Sequence, residues 1–189
     1  MDLKKIEDGV RLILQGIGED LDRPGLGRTP ERVAASMAEL CRGLDPASRN
    51  PLSVMSEADQ NEMIIVKDIS FSSLCEHHLL PYLGRCDIVY LPAEDRIAGL
   101  SAIVELVENL AARPTIQERL TTEIANTLME ELQAKGVMVV MEAEHMCLAM
   151  RGVKKRDSRI VTSAMRGYLK RPETRSEALA LIGRSISGR

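Results

Sequence analysis

The chain has 189 residues, of which 44% are apolar and 28% charged, a size and balance that suit one compact domain with a core of its own. Aromatic residues make up only 2%, with no Trp and one Phe, so Leu, Ile, Val and Met must fill that core. A formal net charge of −3 gives no global basic field, and no run of about 18 apolar residues occurs, which argues against nucleic-acid binding and against a membrane span. The opening Met1-Asp2-Leu3-Lys4-Lys5-Ile6-Glu7 lacks the apolar core of a signal peptide, so a cytoplasmic location is expected, with the four cysteines as reduced thiols or metal ligands rather than disulfides.

In chain order, Ile6, Val10, Ile13, Leu14 and Ile17 recur at helical spacing over residues 4–17. After the loop Arg23-Pro24-Gly25-Leu26-Gly27, Thr29 is placed to cap a second helix with Pro30 at its first position and Val33, Met37, Leu40, Cys41 and Leu44 as its buried stripe. Residues 45–61 are polar and turn-rich, which divides the chain into an N-terminal helical region with its connection, 1–61, and a second part, 62–189. Residues 63–71 and 83–91 carry the β-branched, alternating pattern of two strands joined by a loop around Cys75 to Pro81.

Ser101 is placed to cap a helix with Ile103, Leu106, Val107, Leu110 and Ala111 on one face. Thr115 and Glu118 have capping-box spacing for a longer helix bearing Ile116, Leu120, Ile124, Leu128 and Leu132, which Gly136 should end. An apolar run from Val137 to Met141 reads as a strand continuing to Met150, residues 158–165 as its antiparallel partner, and residues 173–186 as a final helix. Strands in hairpin-like pairs between groups of helices give an α+β class, not a doubly wound parallel sheet.

Cys75-Glu76-His77-His78 sets a thiol and an imidazole three residues apart, within reach of one ion. His145-Met146-Cys147, expected in a strand, offers a second pair on one face, with Met146 pointing away. All three histidines of the chain lie in these two segments. Cys75, His78 and Cys147 as three ligands with an open fourth position is the arrangement of a catalytic zinc, and leaves His77 and His145 for proton transfer. Spacing equally permits a closed structural zinc on two cysteines and two histidines.

Residues 73–81, Ser-Leu-Cys-Glu-His-His-Leu-Leu-Pro, strongly resemble the zinc motif of the GTP cyclohydrolase I family. Gly27 to Val33, Gly99-Leu100-Ser101, Gln117 to Thr121, Glu144 to Cys147, Met150 to Val153 and Val161-Thr162-Ser163 are similar to other segments of that family, in its order. The resemblance implies a tunnelling fold, an antiparallel sheet with helices on one face preceded by a helical part. Such subunits assemble into a ring-shaped homo-oligomer, typically a decamer with active sites at interfaces. It implies zinc-dependent opening of the guanine imidazole ring of GTP at C8, with loss of formate and formation of 7,8-dihydroneopterin triphosphate.

Carried over by motif, Cys75, His78 and Cys147 are zinc ligands and His77 and His145 are catalytic. Glu118 and Gln117 contact the base, Ser101 lies near sugar or phosphates, and Arg151 binds phosphate. The family commonly has Lys and Arg where this chain has Ala102 and Glu105, both directed at the triphosphate; Lys154, Lys155 or Arg166 could take over that task. Two alternatives therefore stand beside GTP hydrolysis: the same zinc chemistry on a less phosphorylated or unphosphorylated purine-like substrate, and a non-catalytic homologue with structural zinc. Cys41 and Cys86 have no assigned role.

Overall fold

The computed structural model describes residues 1–48, 51–56 and 60–183. Two helices come first, α1 (Leu3–Gly16) and α2 (Thr29–Leu40), followed by the short strand β1 (Val54–Ser56). Asp2 caps α1 through its carboxylate on the Lys5 N–H, whereas α2 has Arg28 at its cap position, so Thr29 opens the helix instead of capping it. The expected apolar stripes of the two helices pack together only in part: Ile6, Val10, Leu14, Val33 and Met37 are half-buried, whereas Ile13, Ile17, Leu40 and Leu44 are exposed. Only Cys41 of the α2 stripe is buried. β1 pairs antiparallel with a strand beyond residue 62, which ties the connection to the second part of the chain.

That second part consists of β2 (Ile64–Cys75), β3 (Pro81–Leu91), β4 (Arg96–Ala98, the partner of β1), α3 (Leu100–Ala111), β5 (Pro114–Thr115), α4 (Gln117–Leu132), β6 (Gly136–His145), α5 (Met146–Ala149), β7 (Ile160–Gly167) and α6 (Pro172–Gly183). Residues 184–186 of the expected last helix lie outside the described residues. The main sheet has the order β5-β2-β3-β6-β7, antiparallel throughout except for β5, which runs parallel to β2. The α+β architecture is therefore as the sequence implies.

α3 and α4 lie on one face of this sheet. Alternation explains the packing: Cys86, Ile88 and Tyr90 of β3 and Val137, Val139, Met141 and Ala143 of β6 meet Ile103, Val107, Leu120, Ile124 and Leu128 of the two helices in one core. The far face is covered as well. β3 and β6 carry apolar residues of both parities, and on the far side Val89 and Met138 form a second cluster with Leu169, Ala178 and Ile182, which brings α6 onto that face. Gly84 marks a close approach of β3 to β6, because a Cβ there would sit 2.0 Å from the Glu142 carbonyl oxygen.

Tyr82, fully buried, packs edge-on against Phe71, and its hydroxyl lies near Ser73 without a hydrogen-bond partner. Burial pushes this hydroxyl up to about 12, against 10.0 for an exposed tyrosine. The folded state thus keeps a proton that the unfolded chain loses first. Its contribution to stability is fully present below about pH 10 and is lost as pH rises from there through about 12. Tyr82→Phe keeps the ring and removes this dependence, so denaturant melts at about pH 8 and about pH 11 are expected to show a smaller alkaline loss in the variant than in the parent chain.

Candidate metal centre and active site

The sheet order brings three segments to one end. β2 ends at Cys75; β5 pairs Thr115 with Cys75 and so sets the first turn of α4 beside it; β6 ends at His145, opposite Tyr82 of β3. Between β2 and β3 the chain turns tightly, with the Cys75 carbonyl accepting from the N–H groups of His78 and Leu79, and the Cys75 N–H donating to Leu80 O. Leu79 closes the turn at φ +54°, a left-handed conformation that a branched residue adopts at a cost, and this conformation returns His78 towards the Cys75 sulfur.

The ligand atoms of Cys75, His78 and Cys147 all lie within 4.8 Å of one another, and Cys75 Sγ is 3.7 Å from His78 Nδ1. Ligand distances of about 2.3 Å from sulfur and about 2.0–2.1 Å from nitrogen can be met by one ion in such a triangle. Burial, and then the neighbouring Cys75 sulfur, hold the Cys147 thiol above its ordinary range. Two soft sulfurs and an imidazole form a donor set that fits zinc.

The route by which Cys147 reaches this triangle differs from the expected strand face. β6 stops at His145, because its partner β3 begins at Pro81 and β7 pairs no further than Ile160 with Ala143. With no ladder left, residues 146–149 close a helical turn, in which Met150 N donates to Met146 O, and this turn swings Cys147 to the metal triangle.

An open cleft of about 250 Å³ is lined by Cys75, His77, Glu118, His145, Cys147 and Gln117, with Thr115, Ile116, Leu148 and Ile160 around them. His77 is largely exposed, its Nε2 3.9 Å from a Glu76 carboxylate oxygen. Glu76 itself is gripped by both terminal nitrogens of Arg119, which hold its carboxyl below the usual range and fasten the Cys75–His78 turn to α4. The ring of His145 stacks on Tyr82 at 4.6 Å and 3°, and burial lowers its pKa against the opposing pull of Glu118.

The capping box expected of Thr115 and Glu118 does not form: Ile116 occupies the cap position, and Thr115 Oγ1 turns to the Ile116 carbonyl. Glu118 is left exposed in the first turn of α4, where the helix dipole favours a carboxylate, with its side chain free to line the cleft. Gln117 is buried, and its amide nitrogen is engaged by Met141 O, Ile160 O and Thr162 Oγ1. Arg151 brings Nη1 to 2.7 Å from His78 Nε2, at the edge of the triangle.

Ser101 is exposed on α3 together with Glu105, and neither these nor Ala102 line the cleft. Arg166 is turned away from it, donating to Asn126 Oδ1 and Met165 O. Sequence reasoning did not single out Tyr82 or the Glu76–Arg119 pair. The Tyr82 stack depends on strand register and the ion pair on β5 carrying α4 to Cys75, neither of which a motif displays.

Fold and site together define an α+β protein with a Cys-His-Cys group that could hold a metal ion at the end of its sheet and two further histidines within the same turn and strand end. The chain belongs to the GTP cyclohydrolase I family, whose profile matches residues 6–183. It is 49% identical over 184 residues to the GTP cyclohydrolase 1 of Carboxydothermus hydrogenoformans, covering 97% of this chain and 96% of that one. Identity to the Bifidobacterium longum enzyme of the same name is 48%, with 96% and 91% covered, and to that of Clostridioides difficile 49%, with 96% and 97% covered. Among solved structures, the archaeosine synthase QueF-Like in its apo form aligns with TM-score 0.47 and 12% identity, covering 59% of this chain and 97% of that one.

Proposed function

We propose that the chain hydrolyses GTP at C8 of its guanine, opening the imidazole ring, releasing formate and yielding 7,8-dihydroneopterin triphosphate. The observation that carries this reading is the convergence of Cys75, His78 and Cys147 with His77, His145 and Glu118 on one cleft, in a chain 49% identical to a GTP cyclohydrolase 1. Zinc bound to Cys75, His78 and Cys147 supplies a Lewis acid that brings the pKa of water towards neutrality.

The chain's own groups do the rest. Glu118 presents two acceptor oxygens to the N1 and N2 donors of guanine, and His145 moves a proton at the purine as the ring opens. His77, at the exposed rim, serves the ribose side. Arg151 offers a planar fork to phosphate oxygens, with Lys154 and Lys155 exposed just beyond it.

The cleft is smaller than the roughly 300–1,000 Å³ of pockets that enclose drug-sized ligands. Ser101 lies outside it, and α1 exposes Leu12, Ile13 and Ile17. These features favour a homo-oligomer whose neighbouring subunit brings α3 to complete the site, and the family resemblance implies the ring-shaped decamer.

One observation favours a second reading. At the start of α3, Ala102 and Glu105 put a neutral residue and an anion where a triphosphate would be met by cations, which points to the same chemistry on a less phosphorylated purine. Zinc-loaded protein given GTP, GMP, guanosine and guanine, with formate and pterin absorbance followed, separates the two. Turnover of GTP well above guanosine is expected. Preference for guanosine or GMP would establish the second reading, and absence of formate from every purine would overturn both.

A further inference from the structure

Gln117 stands first in α4 and is 1% exposed. Its Nε2 lies 3.1 Å from Met141 O, 3.0 Å from Ile160 O and 3.1 Å from Thr162 Oγ1. Two of these three are carbonyl oxygens, which can only accept, so the amide cannot be turned over without setting Oε1 against both of them. Oε1 is thereby committed to His145 Nε2, at 2.7 Å.

The hydroxyls around the amide enforce the same direction. Thr121 Oγ1 donates to Gln117 O at 2.7 Å, so the 2.6 Å contact between the two threonines takes its proton from Thr162, and Thr162 Oγ1 in turn accepts from Gln117 Nε2. The two amide hydrogens are shared among three acceptors and each threonine hydroxyl gives its one hydrogen, so turning the amide over would leave buried carbonyl oxygens facing another acceptor.

A carbonyl oxygen carries no hydrogen, so the hydrogen of the 2.7 Å bond resides on His145 Nε2. The neutral ring is left with Nδ1 as its one bare nitrogen, and the parallel Tyr82 ring at 4.6 Å holds its plane. We propose that Gln117 is a positioning residue, which locks His145 in the Nε2–H tautomer so that Nδ1 is the atom that takes up and returns the proton during ring opening. The catalytic half of this statement rests on the reading of the preceding subsection; the tautomer does not. The role differs from a contact with the substrate base, because an amide whose nitrogen is spent on the protein and whose oxygen is spent on His145 has nothing left to offer a purine.

The test uses zinc-loaded, substrate-free protein with ¹⁵N-labelled histidine, in which the coupling pattern of the ring nitrogens distinguishes the tautomers and His145→Asn assigns the signal among the three histidines. Wild-type protein is expected to show His145 as the Nε2–H tautomer. Gln117→Glu keeps an oxygen facing Nε2–H and, as the neutral acid, a donor for Met141 O or Ile160 O, so it should retain the signature. Gln117→Met removes both groups at similar volume and should give a mixture.

In Gln117→Met kcat is expected to fall by roughly 10- to 100-fold, the scale of losing a group that orients a functional histidine, with KM for GTP within about twofold. An Nδ1–H tautomer in the wild-type protein overturns the proposal. So does a rise in KM at unchanged kcat, which would return Gln117 to the substrate. An Nε2–H tautomer in a protein that releases no formate from any purine would leave the lock standing and remove the ring-opening reading instead.

Discussion

Replacing His145 by alanine is expected to lower turnover of GTP by about 10²–10⁴-fold, the usual contribution of a positioned acid–base group, while the protein keeps its zinc. The two halves of this expectation rest on different observations. Retention of metal follows because the atoms that close on one point belong to Cys75, His78 and Cys147, while the His145 Nε2 is held by Gln117 Oε1. Loss of turnover follows because His145 is the most enclosed of the histidines at the cleft: burial lowers its pKa, and its ring is stacked on Tyr82 beside Glu118. A side chain kept neutral near physiological pH can accept a proton, and can then return it.

Formate release and zinc content, measured on the same preparation, check the two halves separately. Zinc loss in the alanine variant would show that His145 belongs to the ligand set. Unchanged turnover would transfer the proton work to His77, which the structure leaves at the exposed rim beside Glu76 and His78.

Much of the sheet and its covering helices was legible because their signals are local. The helical spacing of Ile103, Leu106, Val107 and Leu110 and the apolar run beginning at Val137 each carry their own period, and both elements are present. The metal triangle was legible for another reason: few residue types bind zinc, and the chain concentrates them. What escaped depends on partners distant in sequence. Nothing within the segment 145–147 says that β3 starts at Pro81 and deprives β6 of its ladder, so a strand running to Met150 was the natural reading.

The spacing of Thr115 and Glu118 likewise has the form of a capping box, yet pairing of β5 with β2 takes Thr115 into the sheet and releases Glu118 to the cleft. Gln117 shows the same limit at a single residue. The motif places it beside the base, and what it does not display is that the polar atoms of its side chain lie against Met141 O, Ile160 O, Thr162 Oγ1 and His145 Nε2. The apolar stripes of α1 and α2 were visible as patterns, but a pattern does not say which molecule covers it, and Ile13, Ile17, Leu40 and Leu44 stay exposed.

Cys147→Ala is expected to be the most damaging single change to activity and among the least damaging to the metal-free fold. Loss of an orienting partner around a metal typically costs about 10–100-fold in affinity, so deletion of one of three direct ligands should cost at least that, and formate release should vanish at ordinary zinc concentrations. The fold is expected to tolerate the change because Cys147 sits on a four-residue helical turn and only borders the core, whereas Cys75 is itself part of that core. Cys75→Ala therefore mixes metal loss with a packing defect, and Cys147→Ala separates them.

Thermal melts with and without zinc make the distinction measurable. A ligand that binds only the folded state raises its stability by RT ln(1 + [L]/Kd), about 2.7 kcal/mol at a hundredfold excess over Kd. The parent chain should gain on zinc addition and Cys147→Ala should not, with both melting alike after chelation. Zinc-dependent stabilisation that survives in Cys147→Ala would place the ion elsewhere, and the remaining cysteines give it little room. Cys86 is fully buried beneath the helices with its thiol pushed far up, and Cys41 is buried away from the cleft, so neither can reach His78 without opening the fold that holds it.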